Sequence, residues 1–382
     1  MQVSALLLAI STLALGVYAA DELLPVSFKP TDFPKKTAPC KALNRHTNEI
    51  KNIEIKYVEI NPEAERTLLM VHGWPSLWHS WKYQIEEFKD DYHIIAPDQR
   101  GFGSSTTPGD VGSSGTWGDL AGDLVCMLEH AGVERAICMG HDWGAQVCYE
   151  AARMRPDVFE AVIGAVVPYI PSASGQFIPI SVLDKVVPKL AYQIFLSNVD
   201  VAAKQLNADI RRSLRATLRT VASPPPDTFL ADPNSYMGAW DGVKEISPIP
   251  FFTQEEEDYW VAQYNIQEFK PTLEFYTIGD RKLSWQFTHD QGNYTISQPA
   301  LSVLPNNDPV ADWVSAAKIL GSDKYVSQLT TKTLDGAHWV QLENLREFNA
   351  IVRNWLDALP AATEKKAEKA EPEGVGRAAG EL

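Results

Sequence analysis

The pentapeptide GHDWG at residues 140–144 contains the side chain of this sequence best suited to act as a nucleophile, the carboxylate of Asp142. An apolar run at residues 135–139 precedes it, and a helical pattern at residues 145–155 follows it. A sharp turn from a strand into a helix lifts the central side chain above the edge of a sheet, and the flanking glycines relieve the crowded backbone. The alternative is an ordinary loop aspartate that caps a helix beginning at Gly144, which the combination of strand, pentapeptide and helix disfavours.

An acid and a base follow Asp142 at the ends of two later predicted strands. Asp308 follows an apolar run at residues 300–304, and His338 follows a strand pattern at residues 328–334. Nucleophile, acid and base occur in this order in one class of catalytic triads, where the acid orients the histidine and the histidine takes a proton. Each residue also has a simpler explanation alone, an Asx turn for Asp308 and a satisfied core histidine for His338. Because both follow strand ends, as Asp142 does, we interpret the three residues as a catalytic set.

The tetrapeptide HGWP, formed by His72, Gly73, Trp74 and Pro75, follows the first predicted strand. Its loop can direct the backbone N–H of Trp74 towards the same point as the backbone N–H of Trp143. Two such donors would form an oxyanion hole. An apolar turn kept for packing is the alternative, and the neighbouring pentapeptide makes that alternative less attractive.

The elements that must position these residues alternate through the first half of the chain. Amphipathic stretches separate short apolar runs at residues 67–72, 92–96, 135–140 and 161–167. Alternation of this kind predicts an α/β fold in which helices flank a mostly parallel sheet.

The pattern changes after residue 168 to proline-rich turns, many aromatic residues and amphipathic stretches such as residues 201–221. Strand and helix patterns then return at residues 300–304, 328–334 and 344–359. We therefore expect an inserted helical cap, and we divide the chain into a first core part at 21–168, the cap at 169–296 and a second core part at 297–360.

The two ends of the chain differ from the rest in composition. Residues 1–20 contain no charged side chain, carry an apolar run near residues 6–15 and end in small residues before Asp21. This pattern predicts a secretory signal peptide that is cleaved near Ala19 or Ala20, and the apolar run is short for the alternative, an uncleaved anchor. Residues 361–382 are rich in Ala, Glu, Lys and Gly, which predicts a disordered tail.

Charge and hydropathy restrict the partners. The net charge of −15 results from 49 acidic and 34 basic residues, and it disfavours nucleic acids and anionic membrane surfaces. No later segment is apolar for long enough to cross a bilayer, so we expect a secreted protein without stable membrane association. A neutral or apolar small molecule is the easiest substrate to accommodate.

Two possible modifications of a secreted chain are visible in the sequence. Four cysteines are too few for a disulfide scaffold, and secretion would permit one bridge. Free buried thiols are an equally good interpretation for the three cysteines within apolar segments, Cys126, Cys138 and Cys148. The sequon that begins at Asn293 predicts an N-glycosylation site in a surface segment.

The segments HGWPSLWHSW, DQRGFGSS, GHDWGA and GAHWVQLEN resemble those of epoxide hydrolases of the α/β-hydrolase fold, and the resemblance extends from about residue 57 to residue 359. It implies a nucleophilic aspartate at Asp142, an orienting acid at Asp308 and a base at His338. It also implies two cap tyrosines over the nucleophile. The segment LAYQIF indicates Tyr192 for the first of them.

The second cap tyrosine is less directly indicated. The segment PTLEFY indicates Tyr276, but the family usually continues with an arginine where this chain has Thr277. Tyr264 is the alternative for this role. Either cap tyrosine could also be a core residue whose hydroxyl is satisfied.

These residue types suit an epoxide for a chemical reason. A carboxylate that attacks an epoxide carbon forms an alkyl ester, which water can hydrolyse, whereas a serine would form an ether that a histidine and water could not cleave. His338, oriented by Asp308, would activate the water, and Tyr192 and Tyr276 would protonate the leaving alkoxide. No metal or organic cofactor is required, and the expected partners are an apolar epoxide and water.

Two alternatives remain beside the epoxide hydrolase. A haloalkane dehalogenase would share Asp142 and Trp143, but it usually has a polar residue such as Asn where this chain has Trp74. A non-catalytic ligand-binding protein of the same fold would not need the complete set of acid, base and nucleophile. The particular epoxide and the oligomeric state stay open.

Overall fold

Eight strands form a single sheet in the computed structural model, which describes residues 28–360. In chain order they are β1 (Lys36–Asn44), β2 (Glu49–Ile60), β3 (Thr67–Val71), β4 (His93–Asp98), β5 (Ala136–His141), β6 (Phe159–Ala165), β7 (Ile296–Pro305) and β8 (Val326–Leu334). Their order in the sheet is β1-β2-β4-β3-β5-β6-β7-β8. β2 runs antiparallel to β1 and β4, and the remaining neighbours are parallel. The predicted mostly parallel sheet is confirmed.

The central strands have the composition of strands that are covered on both faces. All residues of β3 and β5 are buried, because helices pack on each side of the sheet. β1 instead alternates exposed and buried residues and contains Pro39, as expected of an edge strand. No element before residue 67 is predicted from the sequence, because charged residues interrupt the apolar pattern of the first two strands.

Within residues 28–360, thirteen α-helices cover the sheet and build the insertion. They are α1 (Lys82–Phe88), α2 (Trp117–His130), α3 (Trp143–Met154), α4 (Ile180–Leu183), α5 (Tyr192–Ser197), α6 (Val199–Asn207), α7 (Ile210–Thr217), α8 (Gln254–Gln267), α9 (Ile278–Gln291), α10 (Trp313–Leu320), α11 (Ser322–Tyr325), α12 (Val340–Glu343) and α13 (Leu345–Asp357). Helices α4 to α9 lie between β6 and β7, within the residues that we predict as the cap. The amphipathic stretch 201–221 is divided between two helices, because the Asp209 side chain accepts a hydrogen bond from the backbone N–H of Arg212 and starts α7.

Buried polar contacts attach the insertion to the core. The Lys82 ammonium group on α1 donates to Glu256 Oε1 on α8 at 2.7 Å. On the other side, the backbone N–H of Gly115 donates to Asp280 Oδ1 on α9 at 2.7 Å. Polar groups removed from water need partners of this kind, and these two contacts fix α8 and α9 against the core.

The four cysteines form two disulfides. Cys40 on β1 is joined to Cys126 on α2, and Cys138 on β5 is joined to Cys148 on α3. The expectation of at most one bridge, with free buried thiols elsewhere, is therefore wrong. Its physical reason is that pairing depends on how each helix packs against the sheet, which sequence spacing alone does not reveal.

Several predictions concern the ends of the chain and its surface. The signal peptide at residues 1–20 and the tail at residues 361–382 lie outside the described residues. Within residues 28–360 no helix is both long and apolar enough to cross a membrane. Asn293 lies in the exposed turn between α9 and β7, where its side chain accepts a hydrogen bond from the backbone N–H of Thr295.

Candidate active site

Asp142 occupies the turn between β5 and α3 with an unusual backbone conformation. Its φ of 54° and ψ of −124° lie in a region of backbone conformation that residues other than glycine rarely adopt. Backbone strain of this kind is often found at functional sites. The close approach of the neighbouring loop explains Gly73, since a Cβ atom there would lie 2.5 Å from Asp142 Oδ1. The turn therefore presents the carboxylate at the end of β5, as the sequence predicts.

Backbone donors hold the Asp142 carboxylate. The N–H of Trp74 donates to Asp142 Oδ1 at 3.0 Å, and the N–H of Trp143 forms a second hydrogen bond that lowers the pKa of the carboxyl group. The buried ring of His72 fixes this loop, because its Nε2 accepts from the backbone N–H of Gln99 at 3.0 Å. The peptide bond between Trp74 and Pro75 is cis. Of the four residues of the HGWP segment, only Trp74 donates to the Asp142 carboxylate, and the second backbone donor is Trp143 on α3.

His338 lies between two carboxylates. Its Nδ1 is 2.7 Å from Asp308 Oδ2, and its Nε2 is 3.5 Å from Asp142 Oδ2. Asp308 is itself held by the indole N–H of Trp313 at 2.6 Å and by the backbone N–H of Val310 at 2.8 Å. The three predicted residues therefore meet at the carboxyl ends of β5, β7 and β8.

The ionisation of this set follows from its geometry. Burial lowers the pKa of His338, but the charge of Asp308 and the hydrogen bonds to both carboxylates outweigh burial and raise that pKa to about 10. Burial raises the pKa of Asp142, yet the hydrogen bond and charge of His338 leave it below the ordinary aspartic acid value. At neutral pH the resting site consequently holds an ionised Asp142 beside a protonated His338.

A cavity of about 190 Å³ opens above the Asp142 carboxylate. Its lining includes Trp74, Tyr192, Tyr276 and His338. Tyr264 does not line the cavity and packs on Phe269 instead, with ring centroids 4.5 Å apart. Of the two candidates for the second cap tyrosine, Tyr276 is the one that faces the nucleophile.

The rings of Tyr192 and Tyr276 meet edge-on, with centroids 6.0 Å apart. Burial raises the pKa of each hydroxyl group, and the nearby charge of Asp142 raises both further. The side-chain amide of Gln193 donates a hydrogen bond to the Tyr192 hydroxyl at 3.2 Å. Both hydroxyl groups therefore stay protonated at neutral pH and can donate a hydrogen bond or a proton to a bound molecule.

Two residues of the site, Tyr236 and Trp313, are not predicted from the sequence. Tyr236 lines the cavity edge-on to Trp74, with ring centroids 5.7 Å apart, and shares a hydrogen bond of 3.0 Å with Thr217. Trp313 holds Asp308 from the start of α10. Tyr236 lies in a turn that contains no recognisable motif, so nothing in the sequence indicates its role. For Trp313, the only indication in the sequence is its position five residues after Asp308.

Comparison with known proteins extends these observations. The family model for the α/β hydrolase fold matches residues 66–345. Epoxide hydrolase A of Mycobacterium tuberculosis is 31% identical over 331 residues, which cover 81% of this chain and 96% of that protein. Bifunctional epoxide hydrolase 2 of Sus scrofa is 26% identical across 80% of this chain, which spans 53% of that longer protein.

Among solved structures, the crystal structure of epoxide hydrolase A from Mycobacterium thermoresistibile superposes with a TM-score of 0.72 at 26% identity. The match covers 86% of this chain and 99% of that structure. The sequence relatives and the solved structure are both epoxide hydrolases, and the chain belongs to the epoxide hydrolases of the α/β-hydrolase fold.

Proposed function

We propose that this epoxide hydrolase works through a covalent ester on Asp142. The observation that carries the proposal is the arrangement of this carboxylate, which backbone donors hold at the floor of the cavity opposite two protonated tyrosines. Asp142 Oδ1 accepts the Trp74 N–H, which leaves Oδ2 for attack on an epoxide carbon. The C–O bond of the epoxide breaks, and its oxygen leaves as an alkoxide that remains on the substrate.

The two tyrosines complete the first half-reaction. An alkoxide is a strong base in a buried site, so the hydroxyl group of Tyr192 or Tyr276 gives it a proton. General-acid assistance of this type contributes roughly 10²- to 10⁴-fold in rate. The products of this step are an alkyl ester that carries a neutral hydroxyl group, and a tyrosinate.

Formation of the ester changes the role of His338. Esterification removes the negative charge of Asp142, so the pKa of His338 falls and the imidazolium can return a proton to the tyrosinate through solvent. Neutral His338, still oriented by Asp308, then takes a proton from water that attacks the ester carbonyl. The donors at Trp74 and Trp143 stabilise the resulting oxyanion. Hydrolysis releases the diol and restores the ionised Asp142 and the protonated His338, so the protons balance over the cycle.

The size of the cavity favours a compact epoxide. Ligand pockets commonly measure about 300–1,000 Å³, and this cavity measures about 190 Å³. Its aromatic walls suit an apolar substituent. We therefore expect a higher kcat/KM for a small aromatic or cyclic epoxide than for one within a long acyl chain.

We also propose that the protein is secreted. The apolar leader at residues 1–20 has the pattern of a cleavable signal peptide, and two disulfides are typical of an oxidising compartment. N-terminal sequencing of protein from the culture medium should find a start near Ala20 or Asp21. Retention of Met1 in a membrane fraction would contradict this proposal.

A variant that separates the two half-reactions tests the covalent mechanism. His338→Gln should still form the ester and then stall, so the intact mass should rise by that of one epoxide molecule. A peptide map should place the added mass on the segment that contains Asp142, and Asp142→Ala should remove it. If His338→Gln formed an adduct with a chloroalkane, released chloride and formed none with any epoxide, the dehalogenase alternative would replace this proposal.

A further inference from the structure

Arg281 in the cap lies behind the tyrosine pair without a carboxylate partner. The half-buried side chain follows Thr277, which starts α9, and it forms no salt bridge with any carboxylate between residues 28 and 360. Its Nη1 donates to Gln193 Oε1 at 2.8 Å. The amide nitrogen of the same glutamine donates to the Tyr192 hydroxyl at 3.2 Å. A cation is thus linked to one tyrosine through a single amide group.

A second contact directs Arg281 towards the other tyrosine. Its guanidinium carbon lies 5.4 Å from the centroid of the Trp143 ring. The ring of Tyr276 meets Trp143 edge-on, with centroids 5.9 Å apart, and the buried indole N–H of Trp143 has no hydrogen-bond partner among the described residues. A cation over an indole ring makes the N–H a better donor, because it withdraws electron density from the ring. The arginine therefore polarises both the donor to Tyr192 and an available indole N–H on the ring that packs against Tyr276.

The position of Arg281 is unfavourable in the resting protein. Arg281 is the fourth residue of α9, at the end of the helix where the dipole favours anions and disfavours cations. Burial disfavours its charge as well and lowers its pKa, whereas negative charge on Tyr192 or Tyr276 would favour it. A negative charge that develops on the tyrosines during ring opening would compensate for both effects.

We infer that Arg281 is a positioning residue for ring opening, which acts through Gln193 and Trp143 to stabilise the tyrosinate formed when an alkoxide takes its proton. This inference rests on the proposed covalent mechanism. Arg281 touches neither the epoxide nor Asp142 in it. Arg281 therefore affects the rate of ester formation and not the binding of the epoxide.

The experiment measures ester formation in the His338→Gln background, where the adduct accumulates. Rapid mixing with excess styrene oxide, followed by intact mass, gives the maximal rate of ester formation and the apparent Kd separately. Arg281→Met keeps the length of the side chain and removes its charge. We expect the maximal rate to fall about 10- to 100-fold, the usual effect of losing a hydrogen bond to a charged group, while the apparent Kd stays within about threefold.

Matched variants distinguish this role from a structural one. Lys282→Met removes an exposed charge from the next position of α9 and should change neither parameter. Arg281→Lys keeps the charge and should restore part of the rate. Gln193→Ala leaves the arginine in place, should slow ester formation as well, and decides the matter if Arg281→Met does not fold.

The outcomes separate the two proposals. Equal maximal rates for Arg281→Met and its background would overturn the inference and leave the covalent mechanism intact, as would a change in Kd alone. The absence of any adduct in the His338→Gln background would overturn the covalent mechanism and, with it, this inference.

Discussion

The hydroxyl groups of Tyr192 and Tyr276 are the proton donors that we assign to the epoxide oxygen. Tyr192→Phe removes one of them and keeps the ring that packs against Tyr236 at 6.0 Å. We expect ester formation to slow by roughly 10-fold or more, within the range of general-acid assistance, with little change in Tm. Combining it with Tyr276→Phe should nearly abolish ester formation, as followed by intact mass in the His338→Gln background. Parental turnover by the double variant would show that the oxygen is protonated elsewhere.

Asp308 affects mainly the second half-reaction. Asp308→Asn removes the charge that holds His338 protonated and can present an amide N–H to Nδ1, which favours the wrong tautomer. Ester hydrolysis should slow by about 10²- to 10⁴-fold, as for other triads, while ester formation is less affected. The measurement is the fraction of enzyme that carries the adduct at steady state, which should rise although His338 is intact. Trp313→Phe, which removes only one donor to Asp308, should produce a smaller increase.

Among individual residues, the sequence predicts the functional residues that belong to motifs and does not indicate those that lie outside motifs. Asp142, Asp308 and His338 are recognisable because each follows a strand and their order is distinctive. Arg281 lies on a helix that packs beside Gln193 only after the cap has folded, and nothing in the spacing of 88 residues indicates their contact. The backbone conformation of Asp142 likewise follows from tertiary packing.

Among the elements, α9 contains a buried carboxyl group, that of Asp280, whose ionisation destabilises the folded protein. Burial raises the pKa of Asp280 to about 7, although Gly115 and Thr277 donate hydrogen bonds to it. An unfolded aspartic acid has a pKa of about 3.9, so between about pH 4 and 7 the folded chain retains a proton that the unfolded chain has lost. The free energy of unfolding therefore falls as the pH rises through this interval and stays lower above it.

Asp280→Asn should remove this pH dependence. We expect the Tm of the variant minus the Tm of the parent, measured by calorimetry, to be larger at pH 8 than at pH 5. Asp290→Asn, at an exposed position later on α9, should shift Tm equally at both values. An Asp280→Asn shift that is the same at both values would show that Asp280 does not titrate in this way.

Elements covered on both faces were the easiest to predict from the sequence. Strands β3 to β7 appear as apolar runs because helices cover them, although their ends differ from the predictions by several residues, whereas five of the nine residues of β8 are exposed. β1 and β2 escaped because an antiparallel edge pair needs only one apolar face. The division of residues 201–221 into α6 and α7 depends on one cap at Asp209 that hydrophobic periodicity does not show.

For the molecule as a whole, the bridge between Cys40 and Cys126 closes a segment with a sequence separation of 86 residues. Closing a loop of this length restricts the unfolded chain and contributes about 4.6 kcal/mol in the chain-entropy description. Replacing both cysteines by Ala should lower the free energy of unfolding in urea by an amount of this order. The cavity lies away from this bridge, so kcat of the folded variant should be close to that of the parent. An unchanged urea midpoint would show that the bridge is not formed in solution.

The second bridge, Cys138 to Cys148, encloses Asp142 in a small covalent ring. Trypsin cleaves after Arg135 and next after Arg153, so the nucleophile and both sulfur atoms leave the protein in one peptide. Fragmentation of that peptide without reduction cannot show which residue within the ring carries an adduct, because a single backbone break inside a ring releases no piece. The same peptide, digested without reductant, weighs two hydrogen atoms less when the ring is closed. One mass spectrum can thus report both the redox history of a preparation and the occupancy of its nucleophile.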